Sequence, residues 1–375
     1  MLALRLVTGS HPLVQARRLL VAAASAGSAF LLLYALVAAV DHPGGSFPRM
    51  LWALVPLAAT VLFAVAVART DPATRPRSGL DAAGLGPLHR TLIAGVSTGV
   101  ACALGSVLAL AVFLHLRGQV SGLPFDGAGA DLLHADRPLP LAAALTLVSL
   151  PPLIGAGAAG LVLRPRPAPF EHPGEDGTTG PAPAERSPFA LLPWGIAATA
   201  VGLAVEAAAG PSATGTLAGL LVTALGLTLV GPALVHAAGT LLQLHRPGTL
   251  RLLAGRTLRE EAVRVGRPLG LLCAVAAVGI TALLRPGLGV TGSAPLGPLT
   301  APAAALVAGC VIATVLSTAL EIRQTRDAAR ATLVEHGVPA ATLRSAAVLR
   351  AAALLATGAP LAWGVAYLTS LTLTR

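Results

Sequence analysis

Arg17 and Arg18, followed by Leu19–Val40 (LLVAAASAGSAFLLLYALVAAV), form the stretch that decides how this chain is built. Its 22 residues carry no charge. A helix of about 20 apolar residues crosses the hydrocarbon core of a bilayer. The run is longer than the ~7–15-residue apolar region of a secretory leader. Its end, at Val40, Asp41 and His42, also lacks a small-x-small cleavage site. It reads as a first membrane span, with the basic segment before it held on the cytoplasmic side.

The pattern recurs along the chain. Further apolar runs cover about 50–68, 91–116, 139–163, 189–209, 214–236, 268–284, 300–320 and 346–371. The fourth span contains Pro151 and Pro152, which predict a kink. The seventh, at about 17 residues, lies at the short limit for a span. The chain is 55% hydrophobic and 11% charged, far from the balance of a soluble domain. The expected fold class is therefore all-α, a polytopic transmembrane helical bundle of about nine spans.

Lysine never occurs, so all 26 basic residues are arginines. A net charge of +10 would point to nucleic acid in a soluble protein. Here the arginines flank spans, so the lipid bilayer is the expected partner and nucleic acid is not. With the N-terminus inside, segments 1–18, 69–90, 164–188, 237–267 and 321–345, plus Arg350, hold 21 arginines. Arg49, Arg117, Arg137, Arg285 and Arg375 remain outside. This asymmetry is the positive-inside pattern. The excess of Ala, Gly, Pro and Arg matches coding bias in a GC-rich bacterium. The expected location is the bacterial plasma (inner) membrane, multi-pass, with the N-terminus cytoplasmic and the C-terminus outside.

The absent lysine removes a P-loop lysine and a Schiff-base amine. No Ser/His/Asp triad, zinc spacing or dinucleotide fingerprint stands in a workable context. Cys102, Cys273 and Cys310 each sit alone in an apolar run and read as buried thiols. No catalytic residue, metal site or cofactor is expected, and the chain does not read as an enzyme. Segment 164–188 is rich in Pro, Gly, Thr and Glu and reads as a flexible linker, with Glu171, Glu175 and Asp176 serving solvation. Glu206 is the only acidic residue well inside a span, a candidate intramembrane polar site. It stands about one turn from the span's outer end, so interfacial or packing roles stay open beside transport. His115 and His236, at span ends, read as interfacial. Small-x3-small pairs such as Gly95/Gly99, Gly155/Ala159 and Gly215/Gly219 permit close helix approach, but in a chain this rich in Ala and Gly they discriminate little.

The two ends of the chain match each other. Leu4–Gly9 (LRLVTG) precedes the first span and Leu250–Gly255 (LRLLAG) the seventh, an offset of 246. Arg77, Leu80 and Gly84 repeat as Arg330, Leu333 and Gly337 at an offset of 253. Spans one to four then correspond to seven onward, with a tenth absent. Six spans separate the copies, an even number, so the four-helix repeats are parallel. The expected organisation is a first repeat at 1–163, the linker at 164–188, two connecting spans at 189–236 and a second repeat at 237–375.

Residues 321–345 (EIRQTRDAARATLVEHGVPAATLRS) read as a helix from Glu321 to about His336. Ile322, Ala329, Leu333 and His336 share one face, and Arg323, Arg326 and Arg330 form a basic strip beside it. Gly337 is placed to end the helix, and Pro339 prevents its continuation. The expectation is a short amphipathic helix lying along the cytoplasmic surface, either anchored on headgroups or docked on a partner.

The run E-I-R-x2-R…L-V-E-H-G-V-P…L-R at 321–344 resembles the coupling segment of FtsX-like (MacB-type) ABC transporter permeases, and 251–268 (RLLAGRTLREEAVRVGRP) is similar to the lead-in of that family's repeat. The parallel duplication resembles the ten-span form of such permeases lacking its last span. The resemblance implies a permease driven by a separate cytoplasmic ABC ATPase, working for export or force transmission, and a second permease copy is a further implied partner. It places the main coupling element at Glu321, Arg323, Arg326, Arg330, Leu333 and Gly337, and a matching one at Arg77, Leu80 and Gly84. Pro72, Pro76 and Gly79 make the latter segment a poor helix, and the external domain common in such permeases is reduced to about 285–299. Rival readings are a secondary transporter, which needs polar groups such as Glu206 at midplane, and a signalling or scaffold protein that has lost transport.

Overall fold

Inside a bilayer no water is available to backbone N–H and C=O groups, so an apolar run must satisfy them within itself as a helix. The computed structural model describes residues 12–41, 46–70, 87–120, 124, 127–164, 189–209, 212–244, 248–284, 297–335 and 339–372. Among them lie ten α-helices, no strand and a single turn of 3-10 helix at Gly297–Leu299. The helices are α1 (Pro12–Asp41), α2 (Ser46–Thr70), α3 (Pro87–Leu116), α4 (Leu141–Val162), α5 (Leu192–Ala209), α6 (Ala213–Leu244), α7 (Thr249–Glu260), α8 (Ala262–Leu284), α9 (Thr300–Glu335) and α10 (Ala340–Thr372). All but α7 are long and apolar enough to cross a membrane, which makes nine candidate spans.

The helices outrun the apolar stretches that announce them. α1 begins at Pro12, before Arg17 and Arg18, and α8 begins at Ala262, so the seventh span has 23 residues instead of about 17. Helical hydrogen bonding is indifferent to the polarity of the side chain, and long arginine stems reach back to the interface. α4 stays helical through Pro151 and Pro152.

One expectation is corrected. Glu321–His336 is not a separate helix lying along the surface. α9 runs unbroken from Thr300 to Glu335, 36 residues in all. Between Ser317 and Glu335 there is no Gly or Pro to stop it, so the basic strip continues the eighth span.

The chain divides by packing into two units. One comprises residues 1–165 and 293–317, the other 166–292 and 318–375. α9 thus passes from one unit to the other, its first 18 residues packing with spans one to four.

In the first unit α1 is the central helix, with 67% of its apolar window buried against 22% for α4. Leu32, Leu33, Phe63 and Phe113 fill the interior, with Phe30 set edge-on to Phe113 at 5.4 Å. Buried hydroxyls in it are bonded within the unit. Ser25 donates to the Cys102 carbonyl at 2.8 Å and lies 3.0 Å from the Ser106 hydroxyl, and Thr60 donates to the Pro56 carbonyl at 2.9 Å. In the second unit α6 is the hub, with α5, α7 and α8 packed along it and α10 laid against α8. Gly231 of α6 and Gly266 of α8 meet backbone to backbone, leaving no room for a Cβ on either.

Candidate functional site

The arginine-rich end of the second unit holds a small side-chain node. α7 begins after Gly248, whose extended backbone (φ −68, ψ 156) supplies no side-chain cap. Ala254, Gly255 and Leu258 form its buried face. A Cβ on Gly239 of α6 would lie 2.8 Å from the Gly255 carbonyl, so the two helices touch there through backbone. Arg251, Arg256 and Arg259 lie on the exposed side. Arg256 bonds Glu260 at 3.0 Å one turn on; both are well exposed, so this pair adds little stability. Arg350 of α10 reaches the Thr257 hydroxyl at 3.5 Å.

Glu261 forms the elbow between α7 and α8, its N–H donating to the Thr257 carbonyl at 3.2 Å. Its carboxylate pairs with Arg326 on the second half of α9 at 2.5 Å. The two side chains are only 18% and 28% exposed, so this is the most sheltered cross-helix ion pair described in the unit. Burial pushes the Glu261 carboxyl above its ordinary value, and the nearby charge of Arg326 offsets part of that rise. The desolvation outweighs the attraction, so the pair sets position more than it adds stability.

Of the residues placed in the main coupling element, Arg326 joins this node. Glu321 is half-buried and Arg323 exposed on the same helix. Arg330 and Leu333 lie on α9, with side chains outside the described residues. Gly337, Arg77, Leu80 and Gly84 also lie outside the described residues. Glu261 was missed from sequence, although a signal stood there: two acids amid five arginines in 251–268. α7 was missed too, although Ala254, Leu258 and Ala262 recur at four-residue spacing.

Glu206 is 2% exposed, packed inside the helix bundle. Gly195, Gly202 and Glu206 form the buried stripe of α5, and this 7-and-4 spacing keeps one seam against a neighbouring helix. Across from it lie Gly219, Thr223, Gly226 and Val230 of α6. A Cβ on Gly219 would sit 2.5 Å from the Glu206 Cγ and 2.8 Å from the Gly202 carbonyl. Gly219 therefore makes the room that the carboxyl occupies. Thr223 donates to Oε1 at 3.3 Å, and the Thr369 hydroxyl of α10 also hydrogen-bonds the carboxyl.

In the first unit, Arg117 just past α3 is 4% exposed and donates to the carbonyls of His134 and Arg137 at 3.1 and 2.5 Å. Its guanidinium stacks over Phe113 at 5.9 Å, and burial lowers its pKa, with the charge of Asp136 opposing. His134 adopts a left-handed backbone (φ 47), and its ring lies 3.5 Å from Asp41, which also meets Arg137 at 3.6 Å. These groups hold a loop in shape. His115 does the same through the carbonyls of Val120 and Pro124, 3.0 and 3.1 Å from its ring nitrogens. His236 sits edge-on to Phe189 at 5.0 Å. Among the described residues no group of three or more His, Cys, Asp or Glu side chains is arranged to hold a metal.

The fold defines a class, a multi-pass all-α membrane protein. No protein-family model matches the chain, and no curated protein or solved structure does so either.

Proposed function

We propose that this multi-pass membrane protein is the membrane-spanning subunit of an ATP-driven transporter of the FtsX-like type. Its N-terminus would face the cytoplasm of a bacterial cell. The extension of α9 would receive movement from a separate ATPase for export or force transmission.

The Arg326–Glu261 pair supports this reading most directly, because it ties together the two segments whose sequences resemble the family's coupling region and repeat lead-in. Mechanics agrees. At 1.5 Å per residue α9 is about 54 Å long, well beyond a ~30 Å hydrocarbon core. An unbroken helix that projects this far transmits a push at its tip into the membrane, whereas a hinged surface helix would absorb it. Glu261 then passes part of that displacement to α8, the span it directly precedes.

The test is co-purification in mild detergent with assay of ATP hydrolysis. A nucleotide-binding subunit should accompany the wild type, and its hydrolysis should be vanadate-sensitive. Arg326→Glu should uncouple the two, and adding Glu261→Arg should restore coupling. If no such subunit or activity accompanies the intact protein, the proposal fails.

A further inference from the structure

Glu206 is the sharpest chemical anomaly among the described residues. A carboxyl group lies sealed among α5, α6 and α10, at 2% exposure, in a span with no other acidic or basic residue. The groups that reach it are hydroxyls. Thr223 donates to Oε1 at 3.3 Å and Thr369 bonds from α10, while Oε2 is buried without a hydrogen-bond partner. No arginine stands among these contacts. α6 brings no titratable group except His236, thirteen residues beyond Thr223. On α10, Tyr367 is 55% exposed and faces outward, and Arg344 and Arg350 lie at the far end of the helix. On α8, Cys273 bonds toward Gly358, well away from Thr369.

We propose that Glu206 is a proton-binding site: its carboxyl holds a proton while α5, α6 and α10 are closed and releases it when they part.

An ionised carboxylate accepts at about four lone-pair positions. Here at most two donors are supplied and one oxygen is left bare. An isolated carboxylate buried in this way is not sustained, whereas the neutral acid is. A hard metal cation fits less well, since calcium takes about 6–8 oxygens, and the contacts offer one carboxyl and two hydroxyls. The release path is short. Glu206 stands three residues from the end of α5, and Thr369 three from the end of α10, about one helical turn in each case. Once these ends separate, water replaces the missing donors and the proton leaves. Gly219 and Gly202 set the closed state, because any Cβ on Gly219 would hold the helices apart.

The site is independent of the coupling reading, and loss of a partner ATPase would leave it intact. The test is an infrared difference spectrum, wild type minus Glu206→Gln, of the full chain in lipid nanodiscs. The C=O band of a protonated acid should be present at neutral pH, vanish in the variant and convert to carboxylate bands as the pH rises. Dicyclohexylcarbodiimide, which traps protonated carboxyls in apolar surroundings, should label Glu206 in the wild type, and rising pH should suppress that label. Carboxylate bands at neutral pH overturn the proposal. So does a sodium-dependent loss of the acid band at constant pH, which would make the ligand a metal ion. Glutamine is the neutral mimic of the acid, so a Glu206→Gln chain that fails to fold overturns it as well.

Discussion

Arg117 and Glu261 show two outcomes for a charge near the membrane surface. Arg117 is buried with its Nη2 donating to the carbonyls of His134 and Arg137, while its Nε and Nη1 find no partner. Arg117→Ala removes the donor those carbonyls share, although the His134 carbonyl still accepts from the Arg137 N–H at 3.1 Å. A hydrogen bond involving a charged group contributes about 1.5–3 kcal/mol, so the variant should lose thermal stability in detergent while Arg137→Ala, at an exposed side chain, loses less. Glu261 works the other way. Burial raises its carboxyl above the ordinary value, so the folded chain binds that proton more tightly than the unfolded chain does. Its favourable contribution is full below the ordinary carboxylate range of ~4.3 and is lost as the pH rises through the folded value. Glu261→Gln should therefore flatten that part of the stability profile in pH-dependent thermal unfolding. A profile unchanged by the substitution would show that the carboxyl is not perturbed.

Helices in this chain are distinguished by what interrupts them and by what lets them touch. α9 continues to Glu335 because nothing between Ser317 and Glu335 stops it. Ala329→Pro would insert a stop, with a helix-interior penalty of about 3 kcal/mol. Spin labels placed before and after that position should report a rigid separation in the parent and a broadened one in the variant. Equally broad distributions in both would mean that α9 is not a single rod. The α5–α6 seam depends on absent side chains. Gly219→Leu would drive a side chain into the Gly202 carbonyl and the Glu206 stem. Overpacking of a close contact costs about 1–3 kcal/mol or more, whereas Gly157→Leu, where a Cβ meets nothing within 4 Å, should be nearly silent in the same unfolding assay.

For the molecule as a whole, the nine candidate spans among the described residues would place alternate connecting segments on opposite faces of a membrane. The arginine asymmetry then predicts that a cysteine introduced at Thr178 reacts with an impermeant maleimide only from the cytoplasm, and one at Ala128 only from outside. The three native thiols are buried and should stay silent. Labelling of both from one face would break the nine-span topology. The spans were legible because hydropathy is a property of residue runs, and a bilayer makes helix the sole local solution for each of them. Their ends were less legible, since hydropathy falls at Arg17, Arg18 and Arg264 while the helices continue through them. Arg326 was readable as one of a basic strip, but its partner Glu261 lies 65 positions away and no local pattern joins them. The same holds for Glu206. As a residue it was visible as a carboxyl in an apolar run, and neither its exposure nor Thr223 and Thr369 could be read from that run. The all-α membrane class, the number of apolar runs and the uneven distribution of arginine are legible along the chain, because these follow from composition in one dimension. Which small residues form a seam, which charges meet and which carboxyl is sealed from water follow from tertiary packing alone, because each depends on contacts between residues distant in the chain.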